Sequence, residues 1–258
     1  MNFEHCPLVL ADRDLLPDDA LSVFVVGSMA RGWATDASDI DLVVVTGERF
    51  EGGEKAFSLD VPLRPGSLPT VAFDHDGRRW EIRYWQDSQV DQVFEKVGWD
   101  AFEADRKVGD RLVEAEQLFL ERLVSCVPVR GEDWVANRRE QLSGSAFRSL
   151  LVMQGLTKVD AKTRTALAQL AAGDVESATL SARDAFGWAM DALLHGHDEH
   201  GALVKWRARR FRAAGPDLLT FDEYWALETM RDYDPDDPGD WIRRVVALCK
   251  KVSMEVEI

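Results

Sequence analysis

Short apolar runs that stop at turn-forming residues mark the beginning of the chain. Leu21–Val26 is one such run and stops at Gly27, and Ile40–Val45 is another and stops at Thr46-Gly47. Runs of this length, rich in valine and flanked by glycine, are typical of buried β-strands. The segment between them is rich in Gly, Ser, Thr and Asp. The pattern therefore predicts two core strands joined by a polar turn.

A hairpin is predicted further along, around Asp76-Gly77. This dipeptide favours a two-residue turn, and apolar and polar residues alternate on both sides of it. The cross-strand pairs that follow are Asp74 with Arg79, Phe73 with Trp80, Ala72 with Glu81 and Val71 with Ile82. Because side chains alternate between the two faces of a sheet, the Phe73–Trp80 and Val71–Ile82 pairs share the apolar face. Glu81 is then expected on the opposite face.

From about residue 88 onward the apolar spacing changes to three and four residues, which predicts helices. The predicted helical segments are 112–123, 142–153, 157–172, one that ends near Gly196, 203–213, 221–231 and 240–253. Gly173 is expected to end one helix, and Asp174 is expected to cap the next. The predicted fold class is α+β, with a sheet-bearing domain over residues 1–100 and a helical bundle over residues 101–258.

Composition narrows the range of partners. The chain has 258 residues and a formal net charge of -15. Such an acidic field repels a phosphate backbone, so nucleic acid is not expected as a partner, whereas small or cationic molecules are. Three cysteines without a CxxC pair fit a reducing compartment, and neither a signal peptide nor a membrane span is recognisable. The expectation is a cytoplasmic protein without a membrane partner; the oligomeric state is left open.

The chemistry-bearing segment lies between the two predicted core strands. Gly27-Ser28 follows the first strand, and Asp39-Ile40-Asp41 opens the second. Glycine lets a phosphate approach the backbone, and the serine hydroxyl and the N–H groups of a following helix can hydrogen-bond its oxygens. Residues two apart on a strand point to the same face, so Asp39 and Asp41 offer two carboxylates together. Carboxylate oxygens suit Mg²⁺, which takes its other ligands from water and phosphate.

This arrangement resembles the nucleotidyltransferase superfamily typified by DNA polymerase β, whose signature is Gly-Ser, a spacer of roughly a dozen residues and Asp-x-Asp. The flanking residues look like the small bacterial branch that includes aminoglycoside nucleotidyltransferases and antitoxin-type minimal nucleotidyltransferases. The resemblance is strong over residues 21–46, fair over 70–85 and general in the helices. It implies a mixed-sheet nucleotidyltransferase domain, with a helical domain that completes the active-site cleft.

The resemblance also implies a catalytic metal site. Asp39 and Asp41 would bind two Mg²⁺ ions, and a third carboxylate on a neighbouring strand would act as metal ligand, general base or both. Glu81 is the candidate for this third role, and Asp74 is the alternative. A surface Glu81 that only pairs with a neighbouring arginine is the plainer interpretation.

A second group of residues is expected to contact the nucleoside triphosphate. The candidate nucleotide-binding residues are Gly27, Ser28, Arg31, Ser38 and Lys205. Lys205 is included because Lys205-Trp206 opens a basic helix and looks like the Lys-Trp segment in helical parts of related small nucleotidyltransferases. The plainer alternatives are an Arg31–Asp36 ion pair and a solvated Lys205.

The reaction implied by the resemblance moves a nucleoside monophosphate, AMP from ATP in the leading hypothesis, to a hydroxyl group with release of pyrophosphate. The acceptor would be a small molecule, either an aminoglycoside-like cation or a biosynthetic metabolite. One alternative is an antitoxin-type enzyme that adds AMP to a protein. The other is a non-catalytic binding protein that retains the fold.

Three histidines, His195, His197 and His200, cluster in a segment that also contains glycine and acidic residues. Their spacing can bind a metal ion, but no cysteine or fixed helical frame supports a site. They are expected to lie in a solvated loop.

Overall fold

A computed structural model describes residues 3–50, 56–104, 111–201 and 203–258. The described chain forms two compact units. The first unit comprises residues up to Glu103 together with 111–145, and the second comprises Ala104 and the residues from Ala146 onward. The sequence interpretation began the helical domain at residue 101, whereas the compact units place 111–145 with the sheet. The assignment of separate functions to these parts stays a prediction.

The first unit is built on a mixed sheet. Its strands are β1 (Ala20–Val26), β2 (Ile40–Thr46), β3 (Phe57–Asp60), β4 (Ser67–His75), β5 (Arg78–Gln86) and β6 (Val127–Arg130). Among the described residues their order across the sheet is β3-β4-β5-β2-β1-β6. The β2–β5 pair is parallel and the other pairs are antiparallel. The α+β class with a mixed sheet is therefore confirmed.

The hairpin of β4 and β5 has the predicted register. Val71 is paired with Ile82, Ala72 with Glu81, Phe73 with Trp80 and Asp74 with Arg79. Asp76 and Gly77 both have positive φ, at 50° and 73°. Two consecutive residues of this conformation make the tight turn whose twist matches the flanking strands.

Helices cover the sheet on both faces. The helices that lie wholly or mainly in the first unit are α1 (Cys6–Ala11), α2 (Gly27–Ala30), α3 (Asp87–Val97), α4 (Trp99–Ala104), α5 (Glu114–Ser125) and α6 (Glu132–Ser143). On one face Leu10 of α1 joins a buried apolar cluster with Leu42 and Ile82. On the other face Phe119 of α5 packs on Trp85, with ring centroids 4.4 Å apart. The two strand faces thus lie in separate cores, which resists a register shift because every side chain would change face.

Strand β6 was not predicted from the sequence. It is four residues long and contains Pro128, which has no backbone N–H to donate. As the edge strand beside β1 it tolerates a proline, and the Ser22 hydroxyl donates a hydrogen bond to the Arg130 carbonyl at 3.0 Å. This strand ties residues 127–130 to the sheet.

The second unit is helical. Its described elements are α7 (Phe147–Ala171), α8 (Val175–Gly196), a short 3-10 helix (Val204–Trp206), α9 (Arg207–Ala214), α10 (Phe221–Glu228) and α11 (Pro238–Glu255). Asp174 caps α8 as predicted, by accepting a hydrogen bond from the Ser177 N–H at 3.2 Å, and Gly173 before it has φ +79°. The predicted helix over 142–153 is instead interrupted, since α6 ends at Ser143 and α7 begins at Phe147.

The expectation of a solvated histidine loop was wrong for two of the three residues. His195 lies in α8, and both His195 and His200 are buried, with their Nδ1 atoms 3.2 Å apart. His197 is exposed. Burial lowers the pKa of His195 to about 3, so this ring is neutral at pH 7. The sequence did predict a helix that ends near Gly196, but it did not show that helix packing buries His195 and His200.

Arginines hold the helices of the second unit together. Asp191 of α8 accepts hydrogen bonds from Arg207 Nη2 at 2.8 Å and from Arg210 Nη2 at 2.6 Å. Both arginine side chains are nearly inaccessible to solvent. A paired and hydrogen-bonded charge is the form in which arginine can be buried. No helix in the described part of the chain is long and apolar enough to cross a membrane.

A glycine in the first unit provides a test of the β6 attachment. Gly131 has φ +69°, and a Cβ at this position would overlap the Leu21 carbonyl oxygen. We expect Gly131→Ala to lower the free energy of unfolding by about 3 kcal/mol or more, because the methyl group meets rigid backbone in a conformation that alanine disfavours. Chemical denaturation monitored by tryptophan fluorescence measures the loss.

The matched control is Gly77→Ala. Gly77 has a similar φ of +73°, but a methyl group added there would meet nothing within 4 Å. The free energy of unfolding of Gly77→Ala should fall only by the cost of a positive φ at alanine, about 1–2 kcal/mol. Equal losses in the two variants would show that the Gly131 contact with β1 is unimportant.

Candidate active site

Gly27 reverses the chain at the end of β1. It has φ +70°, and α2 begins at this residue and lasts four residues. The helix predicted after Gly-Ser therefore exists, but it is a single turn and contributes little macrodipole. In the register of β1 and β2, Val26 is paired with Asp41. The next residue, Gly27, consequently has its backbone beside the Asp41 carboxylate.

This approach is close enough to exclude any side chain at position 27. A Cβ built on Gly27 would lie 2.6 Å from Asp41 Oδ2. Glycine is required here both for the positive φ and for the space. The result is a cradle of backbone on one side and a carboxylate on the other.

Two carboxylates face each other across the parallel strand pair. Asp41 of β2 is the register partner of Glu81 of β5. Asp39 precedes β2 by one residue and is two positions from Asp41, so it is placed towards the same face. That face is opposite the apolar one to which Leu42 and Ile82 contribute. The structure thus places all three acidic residues of the predicted catalytic set towards the same face of the sheet.

The carboxylates interact electrostatically. Burial raises the pKa of the Asp41 carboxyl above its usual range. Among charged groups, Arg122 acts most strongly in the opposite direction, whereas Glu81 and Asp39 raise the pKa further. Asp41 is half-buried beside two other acids, so its ionised form depends on nearby positive charge.

Two arginines lie in this cluster. Arg83 of β5 donates from Nη2 to Glu81 Oε1 at 3.2 Å. Arg122 of α5 is half-buried, and burial lowers the pKa of its guanidinium. Of the charged groups that raise this pKa, Asp41 has the largest effect. Sequence reasoning missed Arg122. The available signal was its position three residues after Phe119, which puts a charged residue next to the apolar stripe of a helix.

The remaining predicted residues are found in different settings. Asp74 is exposed on β4, which does not neighbour β2. Ser38 Oγ accepts a hydrogen bond from the Thr35 N–H at 2.8 Å, so it shapes the turn before Asp39. The Arg31 guanidinium stacks on the Trp33 ring at 4.0 Å. Lys205 is exposed in the second unit, with Nζ 5.2 Å from the Trp206 ring centroid.

Comparison with known proteins assigns the first part of the chain to a protein family. Residues 12–116 match the family described as "Nucleotidyltransferase domain". This stretch is a nucleotidyltransferase domain. It contains the Gly-Ser turn and all three clustered carboxylates. The resemblance to DNA-polymerase-β-like nucleotidyltransferases is confirmed, although the match does not select the aminoglycoside-modifying branch.

Structural comparison shows a shared fold over a longer range. The crystal structure of a nucleotidyltransferase-like protein from Exiguobacterium sibiricum 255-15 aligns with a TM-score of 0.52 over 98% of this chain and 75% of its own, at 11% sequence identity. At this identity the similarity concerns the fold. No curated protein matches the sequence.

The nucleotidyltransferase family generally uses a divalent metal, and the donor set here suits one. Asp39, Asp41 and Glu81 supply hard oxygen ligands, and Gly27 keeps the space beside Asp41 clear of side chains. In the described part of the chain, however, no three His, Cys, Asp or Glu side chains converge closely enough to hold a metal ion. One reason is visible, since the Glu81 carboxylate is engaged with Arg83. The residues fit the metal by type and by strand position.

The raised pKa of Asp41 leads to a test of stability. A folded-state pKa above the unfolded value means that ionisation of Asp41 opposes folding; this cost is complete above the folded pKa and disappears below the unfolded one. We therefore expect Asp41→Asn to raise Tm at pH 7 in the presence of EDTA. The gain should shrink as the pH falls towards about 4, near the usual pKa of an aspartate. Differential scanning calorimetry over this range measures it.

Asp36→Asn is the control, since Asp36 is an exposed residue of the same polar turn. It should leave Tm nearly unchanged at every pH. A decrease in Tm for Asp41→Asn at pH 7 would contradict the conclusion that this carboxylate is held at an energetic cost.

Proposed function

We propose that the chain transfers a nucleoside monophosphate, AMP from ATP, to a hydroxyl group of a small molecule and releases pyrophosphate. The observation that carries the proposal is the register of β2 and β5, which sets Asp41 opposite Glu81 with Asp39 on the same side. Carboxylates concentrated at a glycine turn, inside a nucleotidyltransferase domain, are suited to nucleotidyl transfer.

The metal ligands in this proposal are Asp39, Asp41 and Glu81. Two bound Mg²⁺ ions would neutralise charge on the phosphates and on the attacking and leaving oxygens. The chain itself contributes a fixed frame. Asp41 is held within the sheet, and Asp39 is set by the turn that Ser38 closes onto Thr35.

The donor triphosphate is assigned to the Gly27-Ser28 turn. Gly27 brings backbone beside Asp41, so a phosphate held here lies next to the metal ligands. Backbone N–H groups and the Ser28 hydroxyl are the donors available to its oxygens. Arg31 and Lys205 are proposed as further phosphate contacts. The Arg31 guanidinium is stacked on the Trp33 ring, so a phosphate contact requires that it reach the phosphate while stacked there.

The general base is assigned to Glu81 in preference to Asp74. Glu81 is paired in register with Asp41, whereas Asp74 lies on β4, which is separated from β2 by β5. Glu81 accepts a hydrogen bond from Arg83, which orients its carboxylate beside Asp41, where it could take a proton from the acceptor hydroxyl.

Charge supports a small and cationic acceptor. The chain has a net charge of -15, and an acidic field attracts amine-bearing molecules and repels nucleic acid. An aminoglycoside-like compound fits this criterion, and a cationic biosynthetic metabolite fits it equally. A reducing, cytoplasmic setting agrees with the three cysteines, which are free and buried.

The test is calorimetric binding of the four nucleoside triphosphates in the presence of Mg²⁺. We expect one triphosphate, ATP, to bind, and we expect the double variant Asp39→Ala/Asp41→Ala to lose this binding by at least about tenfold, because it removes two ligands of the metal. Magnesium-independent binding that the double variant retains would contradict the assignment of the site.

Transfer is then followed with α-labelled ATP and a panel of amine-bearing polyols. Glu81→Gln should abolish label transfer while ATP binding persists, and Asp74→Asn serves as its matched control with transfer retained. If the label appeared on a protein and not on a small molecule, the acceptor would be a protein and this part of the proposal would be wrong.

The glycine turn gives an independent prediction. Gly27→Ala places a methyl group 2.6 Å from Asp41 Oδ2, so the carboxylate has to move away. We expect ATP and Mn²⁺ affinities to fall by at least about tenfold, with a modest loss of about 1–2 kcal/mol in stability from the positive φ. Calorimetry and thermal denaturation separate the two effects.

Gly32→Ala is the matched control. Gly32 has φ +66°, close to that of Gly27, but a methyl group there meets nothing within 4 Å. It should lose the same stability and keep ATP binding. Equal binding losses would attribute the effect to backbone strain and remove Gly27 from the site.

A further inference from the structure

One basic residue in the candidate site was assigned no part in nucleotide binding or catalysis. Arg122 lies on α5, which packs against the face of the sheet that carries the carboxylates. The anchor of this packing is Phe119, whose ring lies 4.4 Å from that of Trp85. Helical spacing places Arg122 about one turn beyond Phe119, on the neighbouring part of the same surface. Along β5, positions 81, 83 and 85 alternate onto that face.

The helix is fixed at this end. Arg139 of α6 donates from Nε to the Leu123 carbonyl at 2.9 Å and from Nη2 to the Cys126 carbonyl at 2.5 Å. These bonds satisfy carbonyl groups at the C-terminus of α5 and hold the backbone next to Arg122 in place. Because this end of the helix is held in place, Arg122 stays next to the site.

The charges around Asp41 define the role of this guanidinium. The packing of α5 places Arg122 on the face that carries Asp41. In keeping with this, each of the two groups has the largest effect of any charged group on the pKa of the other. Arg83 is engaged directly with Glu81 at 3.2 Å. The guanidiniums of Arg83 and Arg122 thus offset part of the negative charge of Asp39, Asp41 and Glu81.

We propose that Arg122 is a positioning residue that serves as the resident counter-charge of Asp41 and competes with the divalent cation for this carboxylate. The inference rests on the proposed function, because it takes Asp41 to be a metal ligand. Without a cation, Arg122 offsets the repulsion between the clustered acids. When a cation binds, the two positive charges repel each other, so Arg122 weakens metal binding and makes it reversible.

The competition predicts opposite effects of one substitution. Arg122→Gln removes the positive charge and keeps hydrogen-bonding capacity. We expect Tm in EDTA to fall, because the carboxylates lose their counter-charge, and the Kd for Mn²⁺ to decrease by about tenfold, because the cation no longer meets a like charge. Electron paramagnetic resonance of free Mn²⁺ measures binding without any nucleotide or acceptor. Arg122→Lys restores the charge and should return both quantities towards wild type.

Arg138→Gln is the structural control. Arg138 lies on α6 and pairs with Asp87 at 2.8 Å and with Asp91 at 2.7 Å, outside the carboxylate cluster. Its loss should lower Tm and leave the Mn²⁺ affinity unchanged. If Arg122 only stabilised the fold, Arg122→Gln would likewise lower Tm without strengthening Mn²⁺ binding. Unchanged or weaker Mn²⁺ binding in Arg122→Gln therefore overturns the proposal.

The remaining outcomes separate this inference from the proposed function. Mn²⁺ binding in wild type without a gain in Arg122→Gln overturns the inference alone, whereas no Mn²⁺ binding in either protein overturns both. If Arg122→Gln does not fold, the double variant Asp41→Asn/Arg122→Gln decides. The proposal expects that variant to regain the lost stability, since the unbalanced carboxylate is gone, and failure to regain it overturns the proposal.

Discussion

The parallel pairing of β2 with β5 is the constraint on which the site depends. Asp41 and Glu81 come from strands separated by a long stretch of chain, and only the register between these strands sets them opposite each other. The register is in turn enforced by the other face, where Leu42 and Ile82 belong to one buried cluster. A slip of one residue would turn the carboxylates into that apolar core and the apolar side chains out of it, so the burial of the core specifies the geometry of the acids.

Concentrating these acids costs stability, and several features of the fold offset the cost. Asp41 is half-buried, and burial raises its pKa, which shows that the ionised form is disfavoured by its surroundings. Arg83 is paired with Glu81, and Arg122 acts on Asp41. Gly27 adds nothing to the charge balance but leaves the carboxylate accessible from the backbone side. The candidate cation site is thus partly neutralised by the protein's own arginines, as expected where function conflicts with stability.

Local signals account for what the sequence could predict. The two-residue alternation around Asp76-Gly77 determined the hairpin register, and that register placed Glu81 on the polar face. Strand β6 gave no such signal, because four residues with a proline become a strand only when β1 offers an edge. Arg122 was missed for a related reason: its helix was predicted, but its effect on Asp41 depends on how α5 packs across the sheet, which a one-dimensional pattern does not contain.

The basic segment of the second unit shows how packing divides residues that look alike in sequence. Arg207 and Arg210 are buried and bound to Asp191, whereas Lys205 and Arg209 are exposed. The two exposed cations lie 5.2 and 5.0 Å from the Trp206 ring. Because the buried arginines anchor α9 to α8, the exposed pair is presented on a fixed frame. Of the basic residues in this segment, the exposed ones are those that an anionic ligand can reach.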